Sequence, residues 1–151
     1  MMKARMLFVL MVAVAAGQVA SGQELSPRDQ LRIAVQGICP VSGDMLGEHG
    51  PPIKVKVGEE TVFVRCQGCL QGQINAQHWG TIHANFAKAQ GICPVMKRPL
   101  PANAKVTIVD GQVVYVCCPP CAQKIAAGPA SYLRQIDQLY AGSLQAGKSA
   151  R

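Results

Sequence analysis

Gln36-Gly37-Ile38-Cys39-Pro40-Val41 returns 54 residues later, letter for letter, as Gln90-Gly91-Ile92-Cys93-Pro94-Val95. A second pair of landmarks follows in the same order. Phe63-Val64-Arg65-Cys66-Gln67-Gly68-Cys69 is echoed 52 residues on by Tyr115-Val116-Cys117-Cys118-Pro119-Pro120-Cys121. Two landmarks at nearly one offset mark a tandem duplication. Six of the seven cysteines take equivalent places, Cys39, Cys66 and Cys69 against Cys93, Cys118 and Cys121. The seventh, Cys117, stands where the first copy has Arg65.

Working outward, each copy reads as a Cys-Pro-Val loop, a β-hairpin, and a Cys-x-x-Cys turn that opens a helix. In the second copy Val106–Val109 and Val113–Val116 flank Asp110-Gly111-Gln112, and Asp-Gly is a strong tight-turn signal. In the first, Val55–Val57 and Thr61–Val64 alternate around Gly58-Glu59-Glu60, which reads as a three-residue loop. Past Cys121 a helix is expected to Ala127, a break at Gly128-Pro129, then a second helix whose apolar face carries Tyr132, Leu133, Ile136, Leu139 and Tyr140. After Cys69, Ile74, His78, Ile82 and Phe86 fall at steps of four. Ser26-Pro27 reads as a helix cap and first position. The expectation is an α+β chain organised as a short N-terminal linker or helix (23–35), unit 1 (36–89), unit 2 (90–140) and a flexible tail (141–151).

Residues 1–22 read as an address. Lys3 and Arg5 precede an eleven-residue apolar run, Met6–Ala16, and Ala20-Ser21-Gly22 supplies a small-x-small cleavage site, the pattern of a secretory signal peptide. The run is shorter than the roughly 20 residues a bilayer span needs. An exported chain, periplasmic or extracellular, without a membrane span once cleaved, is therefore expected.

Of the 151 residues, 49% are apolar and 15% charged, and the formal net charge is +7. Loss of Lys3 and Arg5 leaves +5, spread over mostly single basic residues rather than a patch interleaved with aromatics, so nucleic acid is not an expected partner. Eight acidic residues show no paired-carboxylate motif, and no serine or histidine signature of a hydrolase occurs.

The cysteines carry the chemistry. A unit of about 50 residues buries little surface, and domains this small commonly depend on a metal, disulfides or a partner. A two-residue spacer lets both sulfurs of Cys-x-x-Cys face one point, and the amides of a helix start favour thiolate charge. The hairpin carries the chain out and back, so the loop cysteine can close onto that point. The candidate ligand sets are Cys39, Cys66 and Cys69 in unit 1, and Cys93, Cys118 and Cys121 in unit 2, about one ion each. A structural zinc site has four ligands. Unit 2 contains no histidine, so its fourth ligand is Cys117, Met96, water or absent; unit 1 offers Asp44, His49, His78 and His83. Of these, His78 reads first as a packed residue on its helix face. Three thiolates suit zinc in an open site or Cu(I), which soft sulfur selects.

The chain resembles the TRASH and YHS group of heavy-metal-binding modules. The resemblance is carried by Cys39-Pro40-Val41-Ser42-Gly43, Cys93-Pro94-Val95, the strand endings Phe63–Cys66 and Tyr115–Cys118, and Pro129-Ala130-Ser131-Tyr132-Leu133. It implies treble-clef-like units that bind zinc, copper or a similar ion through those cysteines. The Tyr-His-Ser triplet of one branch is missing. The wider spacing of the other branch is met only by Cys117 to Cys121, which allows Cys117 to replace or join Cys118 as a ligand.

The function expected is capture, buffering or delivery of a metal ion, without catalysis, with a metal-transport or metal-delivery protein as a partner. Two alternatives stand beside it. One is a thiol–disulfide oxidoreductase using Cys118-Pro119-Pro120-Cys121; the other is a structural adaptor stabilised by zinc or disulfides. An odd cysteine count with three per copy fits disulfide pairing poorly, since each copy would strand one thiol.

Overall fold

The computed structural model describes residues 24–150. The signal-peptide reading of residues 1–22 lies outside them. The chain runs α1 (Pro27–Gln36), β1 (Ile53–Val57), β2 (Glu60–Val64), a 3-10 turn (Gln67–Gln71), α2 (Ala76–Gln90), β3 (Lys105–Val109), β4 (Gln112–Val116), α3 (Pro119–Ala127) and α4 (Pro129–Ser149). It is an α+β fold with two antiparallel hairpins, β1–β2 and β3–β4.

Both hairpins close through two-residue turns, since Val57 pairs with Glu60 and Val109 with Gln112. The three-residue loop expected in the first is therefore one residue shorter, and Glu60, like Gln112, is a buried strand residue. Asp110 and Gly111 both have positive φ (50° and 75°), the conformation that matches a hairpin's right-handed twist. Every residue of β2 and β4 is buried, whereas β1 and β3 are partly exposed. The two buried strands approach each other where Thr61 N donates to Gly111 O at 2.7 Å.

The helices close over this junction. Helix α1 begins with a capping box: Ser26 Oγ accepts from Asp29 N at 3.1 Å and Asp29 Oδ2 accepts from Ser26 N at 3.1 Å. Leu133, Ile136 and Tyr140 of α4 are buried, as the apolar period of that segment requires. They join Val35, Ile82, Phe86, Ile125 and the β4 valines in one core, so helices on both sides of the duplication share an interior. Unit 1 keeps a small separate cluster of Cys39, Val64 and Cys69.

Three local readings differ from expectation. Cys66-x-x-Cys69 opens a 3-10 turn that ends at Gly72, and α2 starts afresh at Ala76 with Asn75 Oδ1 accepting from Gln77 N and His78 N. Ile74 thus precedes the helix and is exposed, so the apolar face begins at Ile82. The stretch expected as a tail from Ala141 is helical as far as Ser149, where its alanines favour helix and Leu144 packs on the shared core.

Candidate metal centre

The repeated hexapeptide builds one scaffold twice. Gly37 and Gly91 end their helices in the left-handed region (φ 76° and 64°). The cysteine two residues on then starts a tight loop. Cys39 N donates to Asp44 O at 2.8 Å and Gly43 N to Cys39 O at 2.9 Å. In unit 2 Cys93 N donates to Arg98 O at 2.8 Å and Lys97 N to Cys93 O at 2.9 Å. The loops close through matching bridges, Ile38 to Met45 and Ile92 to Pro99.

A buried glutamine ties each loop to its hairpin. Gln36 Nε2 donates to Ile38 O (2.9 Å) and Phe63 O (2.7 Å), while Gln36 Oε1 accepts from Phe63 N (3.0 Å). Gln90 repeats this with Ile92 O (3.0 Å), Tyr115 O (2.6 Å) and Tyr115 N (3.0 Å). Each amide satisfies three backbone groups that burial would otherwise leave unpaired. It also holds the cysteine loop against the strand that leads to Cys-x-x-Cys. The glutamine opens the duplicated hexapeptide, so its signal was present in the sequence, but its role shows only in the fold.

In unit 2 the sulfurs converge. Cys93, Cys117 and Cys121 place their sulfur atoms all within 4.8 Å of one another. Cys117 thus takes the place expected for Cys118 in the trio; Cys118 Sγ lies outside the mutual 4.8 Å reach of the three, though 3.9 Å from Cys117 Sγ and 3.1 Å from Cys121 Sγ, and Cys117 Sγ lies 3.8 Å from Cys121 Sγ. Ligands 2.3 Å from a tetrahedral ion are separated by about 3.8 Å, so the Cys117–Cys118 and Cys117–Cys121 spacings match edges of such a shell. Cys117, open as a fourth ligand on sequence grounds, is a member of the cluster. Cys118 caps the start of α3, with Cys121 N donating back to Cys118 O at 3.1 Å. Hydrogen bonding from Cys121 lowers the Cys118 pKa, and burial raises that of Cys121. Arg98 Nη2 lies 3.6 Å from Cys117 Sγ, and its pKa is raised by that hydrogen bond and by the thiolate charges around it.

Unit 1 brings Cys66 Sγ to 3.7 Å from Cys69 Sγ, and Cys39 lies fully buried in the same apolar cluster, but among the described residues only the unit 2 trio has all its sulfurs within 4.8 Å of one another. Burial works against the Cys39 thiolate, but backbone hydrogen bonds from Ser42, Arg65 and Val41 outweigh it and lower the pKa. Cys69 is pushed up by burial and by its neighbours Cys39 and Cys66. Asp44 points away into an ion pair with Arg65 at 2.8 Å. The ring of His78 packs against Gly43, leaving that glycine no room for a side chain. His83 belongs to another network, 3.1 Å from the buried Glu60 carboxylate and 2.9 Å from the Tyr115 hydroxyl. Met96 is exposed.

The donor set is all sulfur, which favours Cu(I), zinc and similar soft or borderline ions. No helix among the described residues is long and apolar enough to cross a membrane. No protein-family model, curated protein or solved structure matches the chain.

Proposed function

We propose that this is an exported metal-binding protein of two tandem TRASH/YHS-like, treble-clef-like units, acting in capture, buffering or delivery of zinc or copper. Cys39, Cys66 and Cys69 hold one ion and Cys93, Cys117, Cys118 and Cys121 the other. The reading rests on the convergence of the unit 2 sulfurs, held by the same loop and glutamine frame that carries Cys39 in unit 1. Metal entry displaces thiol protons, so binding free energy becomes folding free energy and acid loosens both sites. Transfer to a metal-transport or metal-delivery protein is the role such a carrier serves.

Elemental analysis and native mass spectrometry of protein purified anaerobically test this directly. Two ions per chain are expected, and one after Cys66 and Cys69 are both changed to serine. Unchanged loading in that variant removes the unit 1 site, and metal-free protein removes the reading.

The 3.1 Å separation of Cys118 Sγ and Cys121 Sγ favours a second reading, a redox pair at the start of α3. Metal-free protein two hydrogens lighter per Cys-x-x-Cys, and active in insulin reduction, would establish that reading in place of the first.

A further inference from the structure

The duplication is broken at two positions that face each other. Asp44 and Arg98 are equivalent in the cysteine loops, and Arg65 and Cys117 are equivalent at the strand ends before Cys-x-x-Cys. In unit 1 the pair is Asp44–Arg65 at 2.8 Å; in unit 2 it is Arg98–Cys117 at 3.6 Å. The cation has changed sides. The negative group has moved from the loop carboxylate to a sulfur that lies among the ligand atoms. The guanidinium of Arg65 occupies the corresponding place in unit 1, and a guanidinium cannot serve as a ligand.

From this exchange we infer that the two sites differ in kind, a conclusion that builds on the metal-binding reading above. Unit 2, where Cys117 joins Cys93 and Cys121 with Cys118 beside them, surrounds its ion with protein sulfur and releases it slowly. Unit 1 binds through three thiolates, keeps one coordination position open, and is the site from which an ion is taken up or passed on. Sites saturated by protein ligands are structural, whereas those that react keep a position for an outside ligand. The surroundings agree. Cys66 and Arg65 line a cleft of about 640 Å³ with His49, Lys54 and Leu70, and among the described residues no acidic side chain lines it. An outside ligand carrying a metal can therefore approach Cys66 through this cleft, past Arg65 in its ion pair with Asp44. The ring of His78 is taken up against Gly43.

Competition kinetics with the zinc-loaded, reduced protein decide the matter, using excess EDTA as the anionic competitor and a metallochromic indicator in a parallel run. One ion should leave fast and one slowly, at rates at least about tenfold apart, since even outer-shell changes alter metal affinity 10–100-fold. Arg65→Cys, which installs the residue that the same frame accepts in unit 2, should convert the fast ion to a slow one. Cys117→Ser should convert the slow ion to a fast one. Native mass spectrometry before the challenge confirms two ions in each protein. Two ions leaving the wild type at one rate would overturn the inference, as would a fast ion unaffected by Arg65→Cys. Protein that loads neither zinc nor Cu(I) would instead overturn the metal-binding reading itself.

Discussion

Single residues set the strongest local constraints. Arg32 is buried between the rings of Phe63 and Phe86, 5.8 and 6.0 Å from their centroids, and donates to the Thr61 and Gly111 carbonyls. One cation thereby satisfies backbone acceptors on both hairpins, at the point where the copies meet. Asp29, in the capping box of α1, also pairs with Lys54 at 2.9 Å. Burial alone would raise its pKa, but hydrogen bonds from Lys54 and Ser26 lower it below the ordinary 3.8. A carboxylate whose folded pKa is depressed adds stability above 3.8 that is lost as pH falls through the folded value. Asp29→Asn should therefore destabilise the protein by about 1 kcal/mol at neutral pH, through loss of the charge pairing with Lys54 and of the negative charge at the helix start. The gap from wild type should close in acid as wild-type Asp29 becomes protonated. Urea midpoints measured on both proteins from pH 7 to pH 3 would show it, and a gap that widens in acid would contradict the assignment.

At the scale of elements, the cysteine loop and hairpin act as one unit through the buried glutamine. Gln36→Ala and Gln90→Ala each strip partners from buried backbone groups, at a cost of about 1–3 kcal/mol per orphaned group. The two variants should lose similar stability in urea unfolding at fixed metal concentration, because their hydrogen bonds match one for one. Each should also weaken metal retention in its own unit, since the loop cysteine loses its support. The helices after Cys-x-x-Cys show where local sequence departs from the duplication. Pro119 and Pro120 seat directly at the start of α3, while Gly68 and Gly72 leave unit 1 only a 3-10 turn before Asn75 caps α2. Proline suits the first helical turn, and glycine weakens helix propagation.

Across the whole molecule, apolar burial is unevenly shared. The large core joins α1, α2, α3, β4 and α4, whereas the unit 1 cysteines sit over only Val64 and partly buried neighbours. Chelation should therefore lower the melting temperature and raise amide exchange more in the Ile53–Val64 hairpin than in the Lys105–Val116 hairpin. Hydrogen exchange with and without EDTA measures this, and equal loosening would show that core packing does not protect unit 2.

The duplication, the two hairpins and the α4 face were legible in the chain because each rests on short-range pattern: a repeated hexapeptide, Asp-Gly between alternating strands, and apolar residues at helical spacing. Six candidate sulfurs were legible for the same reason, and Cys117 was visible as the odd one out. Sequence alone could not tell that Cys117 joins Cys93 and Cys121 while Arg65 turns to Asp44. It also could not tell that Gln36, Gln90 and Arg32 hold the copies together. Those facts depend on which groups meet after the chain folds back on itself, and a buried polar group finds its partner by position in space rather than by distance along the chain.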